Sequence, residues 1–419
     1  MKRCVRKVFY RGIIALVSIF LLSGCNKADN KKASRNHMSY ERLKKDFPVE
    51  KNVKLTVWYQ KEEEEQFLLE AAEAFEEKYS IEVESHCVKK TDYLKEIALK
   101  SKSNEAPDLY FISNGQLQQA KQYGIAKQVE FFPQQFLEEN YPKTAIKAGS
   151  LQDGMYGYPL YFDTYFLLYH AEDVRYAPTT FDEMIEYGEQ LSDKKDNTNL
   201  FKWDLTDPYT NFMFLGDSME LFGDTGDDPS LFKINNYQTI EAMKYFQELN
   251  NLPIGTMQTV DYETVLSSIE HNEAVFAICE MDAINRIPKN SSYKVALLPD
   301  LTDEIESNSL SITELAVVNE QSKQQKAAEL FASYLSYEFA NQQYDTIGRL
   351  SAKKGIFYED ERLQMIYRQY EKSMPIPKGK AMEYFWNYMR IANENIWNGA
   401  TVSRQMDEVQ KKMENLLSS

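Results

Sequence analysis

Two carboxylates could do paired chemistry. Asp163 lies in Tyr161-Phe-Asp163 and Asp207 in Asp207-Pro-Tyr209, and such a pair could serve as the two acids of a glycosidase. Nothing in the sequence fixes their separation, and no nucleophile–base motif accompanies them. Asp163 also reads as a charge at a strand turn, and Asp207 as an ordinary Asp-Pro turn. Other chemistries are sparse. The four histidines (His37, His86, His170, His271) are isolated, which disfavours a histidine metal site. No Cys-x-x-Cys occurs. Glycine is scarce, at 16 residues, and no glycine-rich phosphate loop is present, so neither a cofactor nor a metal is expected. The net charge of −16 repels phosphate backbones and removes nucleic acid from the expected partners.

The elements that hold these residues begin with a leader. Lys2, Arg3, Arg6, Lys7 and Arg11 form a basic head with no acid. Gly12 to Leu22 is an apolar run too short to span a bilayer, as in a signal-peptide core. Leu22-Ser-Gly-Cys25 follows and resembles the lipobox of bacterial lipoproteins, which makes Cys25 the lipidation site and 1–24 a signal peptide. Removal of the leader would leave a charge of about −21. Residues 25–50 are expected to form a lipidated cysteine and a flexible tether, with Asn26 to Asn36 its polar core. Of the remaining cysteines, Cys87 and Cys279 could pair or could be two buried free thiols.

The body, 419 residues less the leader, is long enough for two lobes. Val53 to Tyr59 alternates as a strand, and Phe67 to Tyr79 repeats at helical steps. Ile81 to Glu84 predicts a strand, Thr91 to Lys102 a helix, and Leu109 to Ile112 a buried strand. This order is the signature of an α/β fold with a mainly parallel sheet. Ligands of such sheets bind beyond the carboxyl ends of strands, here Tyr59 to Glu64 and Ser113 to Gln116. Further on, Tyr156 to Tyr161 leads into an aromatic-rich strand, Tyr165 to Tyr169. Thr180 and Glu183 make a capping box. Helices are predicted over 237–249 and 261–271, strands at Ala274 to Cys279 and Tyr293 to Leu298, and a third crossing segment at Leu310 to Val318. Four helices follow, at 326–339, 359–372, 381–396 and 402–417.

The order of segments resembles an extracellular solute-binding lipoprotein of an ABC importer, in the family 1 class of maltodextrin- and oligosaccharide-binding proteins. The resemblance runs from about Val53 to Leu417. Its carriers are Leu55-Thr-Val-Trp58 with Phe75 to Val83, Ala106-Pro-Asp-Leu109, Gly154 to Pro159, Leu167-Leu-Tyr-His170, Pro178 to Glu183, Glu270 to Ala277, Leu298-Pro299, Ala327 to Leu335, and Met374-Pro-Ile-Pro377 with Phe385-Trp386. The resemblance implies a two-lobe fold of the class II periplasmic-binding-protein type, each lobe a mixed, mainly parallel sheet flanked by helices. Lobe 1 would hold 51–162 with about 299–358, and lobe 2 about 163–298 with 359–419. It further implies a monomeric, non-catalytic receptor on the outer face of a Gram-positive bacterial membrane, which passes its solute to ABC permease subunits. A receptor of the same fold for a cationic solute such as an amino sugar or polyamine, or a sensor partner, is the alternative.

The same resemblance nominates ligand residues. Asp163 matches a ligand-contacting carboxylate, Asp207 and Tyr209 match an acid-Pro-Tyr step that touches sugar, and Trp386 matches a stacking tryptophan on a late helix. Trp203 is a second stacking candidate, and Glu62 matches a carboxylate at the end of the first strand; helix capping and core packing are the plainer readings. Two aromatic platforms of the family are absent: Ile112 stands at one, and Asp282 falls nearest the other, within Glu280-Met-Asp-Ala283. The cleft is therefore expected to be acid-rich, suited to hydroxyl donors, and poor in arginine.

Overall fold

The computed structural model describes residues 38–103, 105–191, 200–252 and 260–418. The fold is α/β and is built on two sheets. The strands of interest, in chain order, are β1 (Lys54–Tyr59), β2 (Glu82–Cys87), β3 (Leu109–Ser113), β4 (Tyr158–Thr164), β5 (Phe166–His170), β6 (Phe201–Lys202), β7 (Phe276–Cys279), β8 (Tyr293–Ala296), β9 (Leu310–Val318), β10 (Leu350–Ser351) and β11 (Met374–Pro375).

The large sheet has the order β10-β4-β9-β3-β1-β2, with β11 beside β9. Its first three strands are the predicted parallel unit: β1 pairs in parallel with β2 and with β3. Both faces are covered, so side chains alternate between two cores. Leu109 and Phe111 point into the main core, whereas Tyr110 and Ile112 join Trp58, Leu315 and Val317 in a second one. The helix Glu64–Tyr79 covers the main face with Phe67, Leu68, Ala71 and Phe75 and stops at Ser80, which takes a left-handed conformation. The small sheet has the order β8-β5-β7-β6.

The sheets are mixed: β1 pairs in parallel with β2 and β3, β7 with β6 and β9 with β11, and the other pairs are antiparallel. β9 runs antiparallel to both β3 and β4, and β5 runs antiparallel to both β7 and β8. The cause is the way the chain changes sheets. β4 belongs to the large sheet and β5 to the small one, and Tyr165 is the single residue between them. What the sequence presents as one aromatic strand with a lead-in is thus two strands of different sheets. The chain returns through 297–309 into β9. It was expected to leave the first lobe for good near 358, yet β11 still pairs with β9 before the helix Ala381–Trp397 begins. Lys378 lies in this last connection, almost fully buried, and its Nζ donates to the carbonyls of Lys147 and Thr225.

The predicted tether is corrected in part. Tyr40 to Asp46 is a helix capped by Ser39, and Tyr40 is 5% exposed. Its ring stacks on Tyr337 and meets Phe131 and Phe136, and its hydroxyl bonds Ser333 Oγ at 3.0 Å. Burying such a ring contributes about 2–3 kcal/mol, which a free tether would forgo. The expected leader and lipobox, and the tether up to residue 37, lie outside the described residues. Among the described residues no helix is long and apolar enough to cross a membrane. Cys87 and Cys279 are both free; Cys279 is buried as one reading had it, but Cys87 is exposed on the edge strand β2.

Candidate functional site

β4 places Asp163 where the chain is about to change sheets. One carboxylate oxygen accepts from the backbone N–H groups of Thr164 (3.0 Å) and Met281 (3.2 Å), and the other is ion-paired with Arg349. Met281 opens the helix Met281–Arg286, which follows β7 of the small sheet, and Arg349 directly precedes β10 of the large one. Asp163 therefore sits in the cleft between the two sheet systems. Burial raises its carboxyl above the usual range, opposed by the facing guanidinium.

Three more acids approach it. Glu280 is raised well above the carboxylate range, first by burial and then by Asp163, Asp282 and Asp207. Its backbone N–H is held by the Tyr262 hydroxyl (2.9 Å), and that hydroxyl donates to Asp282 Oδ1 at 2.6 Å. Asp207 caps its own turn, accepting from the Tyr209 N–H at 2.9 Å, and burial raises its carboxyl. The turn reading and the site reading thus hold together. Tyr209 stands edge-on to Tyr165, with ring centroids 5.3 Å apart, and its hydroxyl donates to the Leu310 carbonyl at 3.3 Å. Asp163, Asp207, Tyr209 and Asp282 lie near one another.

Trp386 lies further along. It lines a cavity of about 480 Å³ with Tyr93, Ser113, Gly115, Gln116 and Lys380. The predicted strand-end segment 113–116 is therefore part of a cavity wall. Trp386 is half-buried, resting edge-on against Phe385 and Phe212, on a helix that turns Met382, Phe385 and Met389 inward. Tyr93 is 2% exposed, and its hydroxyl has no hydrogen-bond partner among the described residues.

Two nominated residues do not fit. Trp203 is fully buried, wedged among Phe201, Phe214 and Trp397, with its indole N–H donating to Asn211 at 2.9 Å. It has no free face for a ligand. Glu62 is 75% exposed and pairs with Lys89 at 2.5 Å. The enclosed acid of that loop is Glu64, which accepts from the Tyr161 hydroxyl at 2.5 Å beside the Lys61–Glu314 ion pair of 2.6 Å. Burial and the nearby Glu314 push Glu64 up to about 8. Helix phase is the signal that could have found it: Glu64 precedes Phe67, Leu68 and Ala71 by three, four and seven residues, on the inward face. Arg349 and Glu280 belong to the site without being legible in the sequence. Nothing marks an arginine before a two-residue strand, and Glu280 lies two residues from Asp282.

This arrangement, carboxylates aimed into a cleft with one facing arginine and a tryptophan further on, suits a ligand rich in hydroxyl donors with apolar ring faces. Relatives agree in fold. The chain is 25% identical over 249 residues to the maltodextrin-binding protein MdxE of Bacillus subtilis strain 168, a match that spans 55% of this chain and 59% of that protein's length. Two solved structures superpose along nearly their whole length. An extracellular solute-binding protein from Staphylococcus aureus in complex with maltose gives a TM-score of 0.79 at 18% identity, covering 88% of this chain and 99% of its own. A cyclo/maltodextrin-binding protein complexed with maltotetraose gives 0.77 at 18% identity, covering 89% and 99%. They fix the two-lobe periplasmic-binding-protein fold. The model of the bacterial extracellular solute-binding protein family matches residues 70–363, and the chain belongs to that family.

Proposed function

We propose that this protein is a lipid-anchored extracellular receptor that captures an oligosaccharide between its lobes and hands it to an ABC permease. The observation that carries the reading is the convergence of Asp163, Asp207, Tyr209 and Asp282 in the cleft, with Trp386 lining a cavity and meeting Phe212, on the segment that follows Tyr209. The carboxylates accept from sugar hydroxyls, and the indole face covers the apolar side of a ring. Capture proceeds without turnover. Relatives whose names give maltodextrin, maltose and maltotetraose support an α-glucan oligosaccharide as the solute.

The anchor is the acylated Cys25, with the leader before it removed; two or more acyl chains hold a protein stably on a membrane. We place the lobe limits at 51–162 with about 299–358, and about 163–298 with 359–419. The receptor acts as a monomer, and its solute-bound closed form is what the permease subunits read.

Isothermal titration with maltose, maltotetraose, cellotetraose and spermidine tests the reading. Binding of the glucan oligosaccharides with one site per chain is the expected result. Silence toward every sugar, with spermidine bound, overturns it. Metabolic labelling with palmitate, lost in Cys25→Ser, tests the anchor.

A further inference from the structure

We propose that the Gly348–Arg349 turn, Asp163 and the helix Met281–Arg286 form a clasp across the cleft, in which Arg349 acts as a positioning residue that ties solute capture to lobe closure. The affinity part rests on the function proposed above; the closure part stands without it.

Three segments hold one carboxylate. Asp163 receives an N–H from its own strand, an N–H from Met281 of the small-sheet lobe, and the guanidinium of Arg349 from the far edge of the large sheet. The pair is neither open to water nor sealed off: the side chains of Arg349 and Asp163 are 25% and 19% exposed. A charge-assisted pair held this way orients its carboxylate more firmly than a solvated one.

One residue back, the Gly348 carbonyl accepts from Asn285 Nδ2 at 3.2 Å. Met281 and Asn285 are four apart and so share a face of their helix. The same turn of the large-sheet lobe thus meets this helix face directly at Asn285 and, through Asp163, at Met281. Glycine suits position 348: its φ is +64°, a region that favours glycine, and a Cβ there would lie 2.9 Å from Asn285 Nδ2.

The charges around the clasp give it direction. Glu280 and Asp282 crowd Asp163 from the small-sheet side, with Asp207 acting on Glu280, and Arg349 is the cation that faces Asp163 and Asp282. Without Arg349 the acids of the two lobes repel across the cleft. With it, the lobes are drawn together at this end before any solute arrives. A solute then binds a conformation that is already populated, and its apparent affinity rises with that population.

Small-angle scattering of the solute-free protein tests the clasp, alongside titration with maltotetraose. Both Arg349→Gln and Asn285→Ala are expected to enlarge the solute-free radius of gyration while leaving the far-UV spectrum unchanged. Arg349→Gln weakens maltotetraose binding by about tenfold or more, and Arg349→Lys recovers only part of this because a lysine lacks the planar fork. Asn285→Ala, which leaves the ion pair intact, weakens binding only by the fraction of closed molecules it removes. An unchanged radius in both variants overturns the clasp. Wild-type affinity in Arg349→Gln overturns the positioning role. If the wild-type protein ignores maltotetraose, the proposed solute fails while the scattering still decides the clasp.

Discussion

Lys378 makes the pH dependence of stability a direct test of how its environment is read. The side chain is 3% exposed. Its Nζ donates to the carbonyl of Lys147 at 2.9 Å and to that of Thr225, with Asp227 nearby. Burial outweighs the attraction of Asp227 and pulls its pKa down to about 7. An unfolded lysine titrates near 10.4, so the depression is roughly three units, or about 4 kcal/mol at 1.36 kcal/mol per unit. The sign follows from proton counting. Between pH 7 and about 10.4 the unfolded chain holds a proton on Lys378 that the folded chain has lost, so stability rises with pH across this window. Below pH 7 both forms are charged and the full penalty persists. Lys378→Met removes the penalty but leaves two carbonyls without their donor, at about 1 kcal/mol each. The variant should therefore be about 2 kcal/mol more stable than wild type at pH 7 and no more stable at pH 10. Urea unfolding of both proteins at unit steps from pH 6 to 10 measures this. Other lysines and tyrosines titrate alike in the two chains, so the difference isolates Lys378. Parallel curves would refute the argument that burial governs this group.

Three further outcomes are expected. Trp386→Ala should weaken oligosaccharide binding by about 1–3 kcal/mol while changing the unfolding free energy little, as titration and denaturation would show. Trp203→Ala should do the reverse, losing about 3–5 kcal/mol of stability from a fully buried site. Glu64, pushed up to about 8, keeps a proton in the folded chain that the unfolded chain loses near pH 4.3. Its contribution is present at low pH and fades as pH rises toward 8, so Glu64→Gln should flatten the stability profile between pH 4.5 and 8.

Much of the scaffold was legible because periodicity reports burial. The β1–β3 unit and the helix Val402–Leu417 fall where alternation and helical repeats put them. The capping box near Thr180 is present in shifted form: Thr180 Oγ1 accepts from the Glu183 N–H, but the Glu183 carboxylate reaches back to the N–H of Thr179. Three things were hidden. The aromatic run through Tyr165 looks continuous because pairing partners, not side-chain types, divide β4 from β5. Trp203 and Trp386 are alike in composition terms, and only packing tells a core ring from a cleft wall. Among the four glutamates from Glu62 to Glu65, helix phase alone selects the buried one. The resemblance carried Asp163 to its place, but the arginine opposite it comes from a segment 186 residues away and left no local pattern.

The place of β9 has a consequence for the newborn chain. β9 lies between β3 and β4, and β3 ends at Ser113 while β9 begins at Leu310. Until Leu310 to Val318 leaves the ribosome, the larger sheet lacks its middle, and its halves have no hydrogen-bonded neighbour to join them. Such distant pairing is slow to form. This delay acts as a built-in timer: the halves of the sheet wait apart, and the clamp takes shape only once Leu310 to Val318 can pair on both sides.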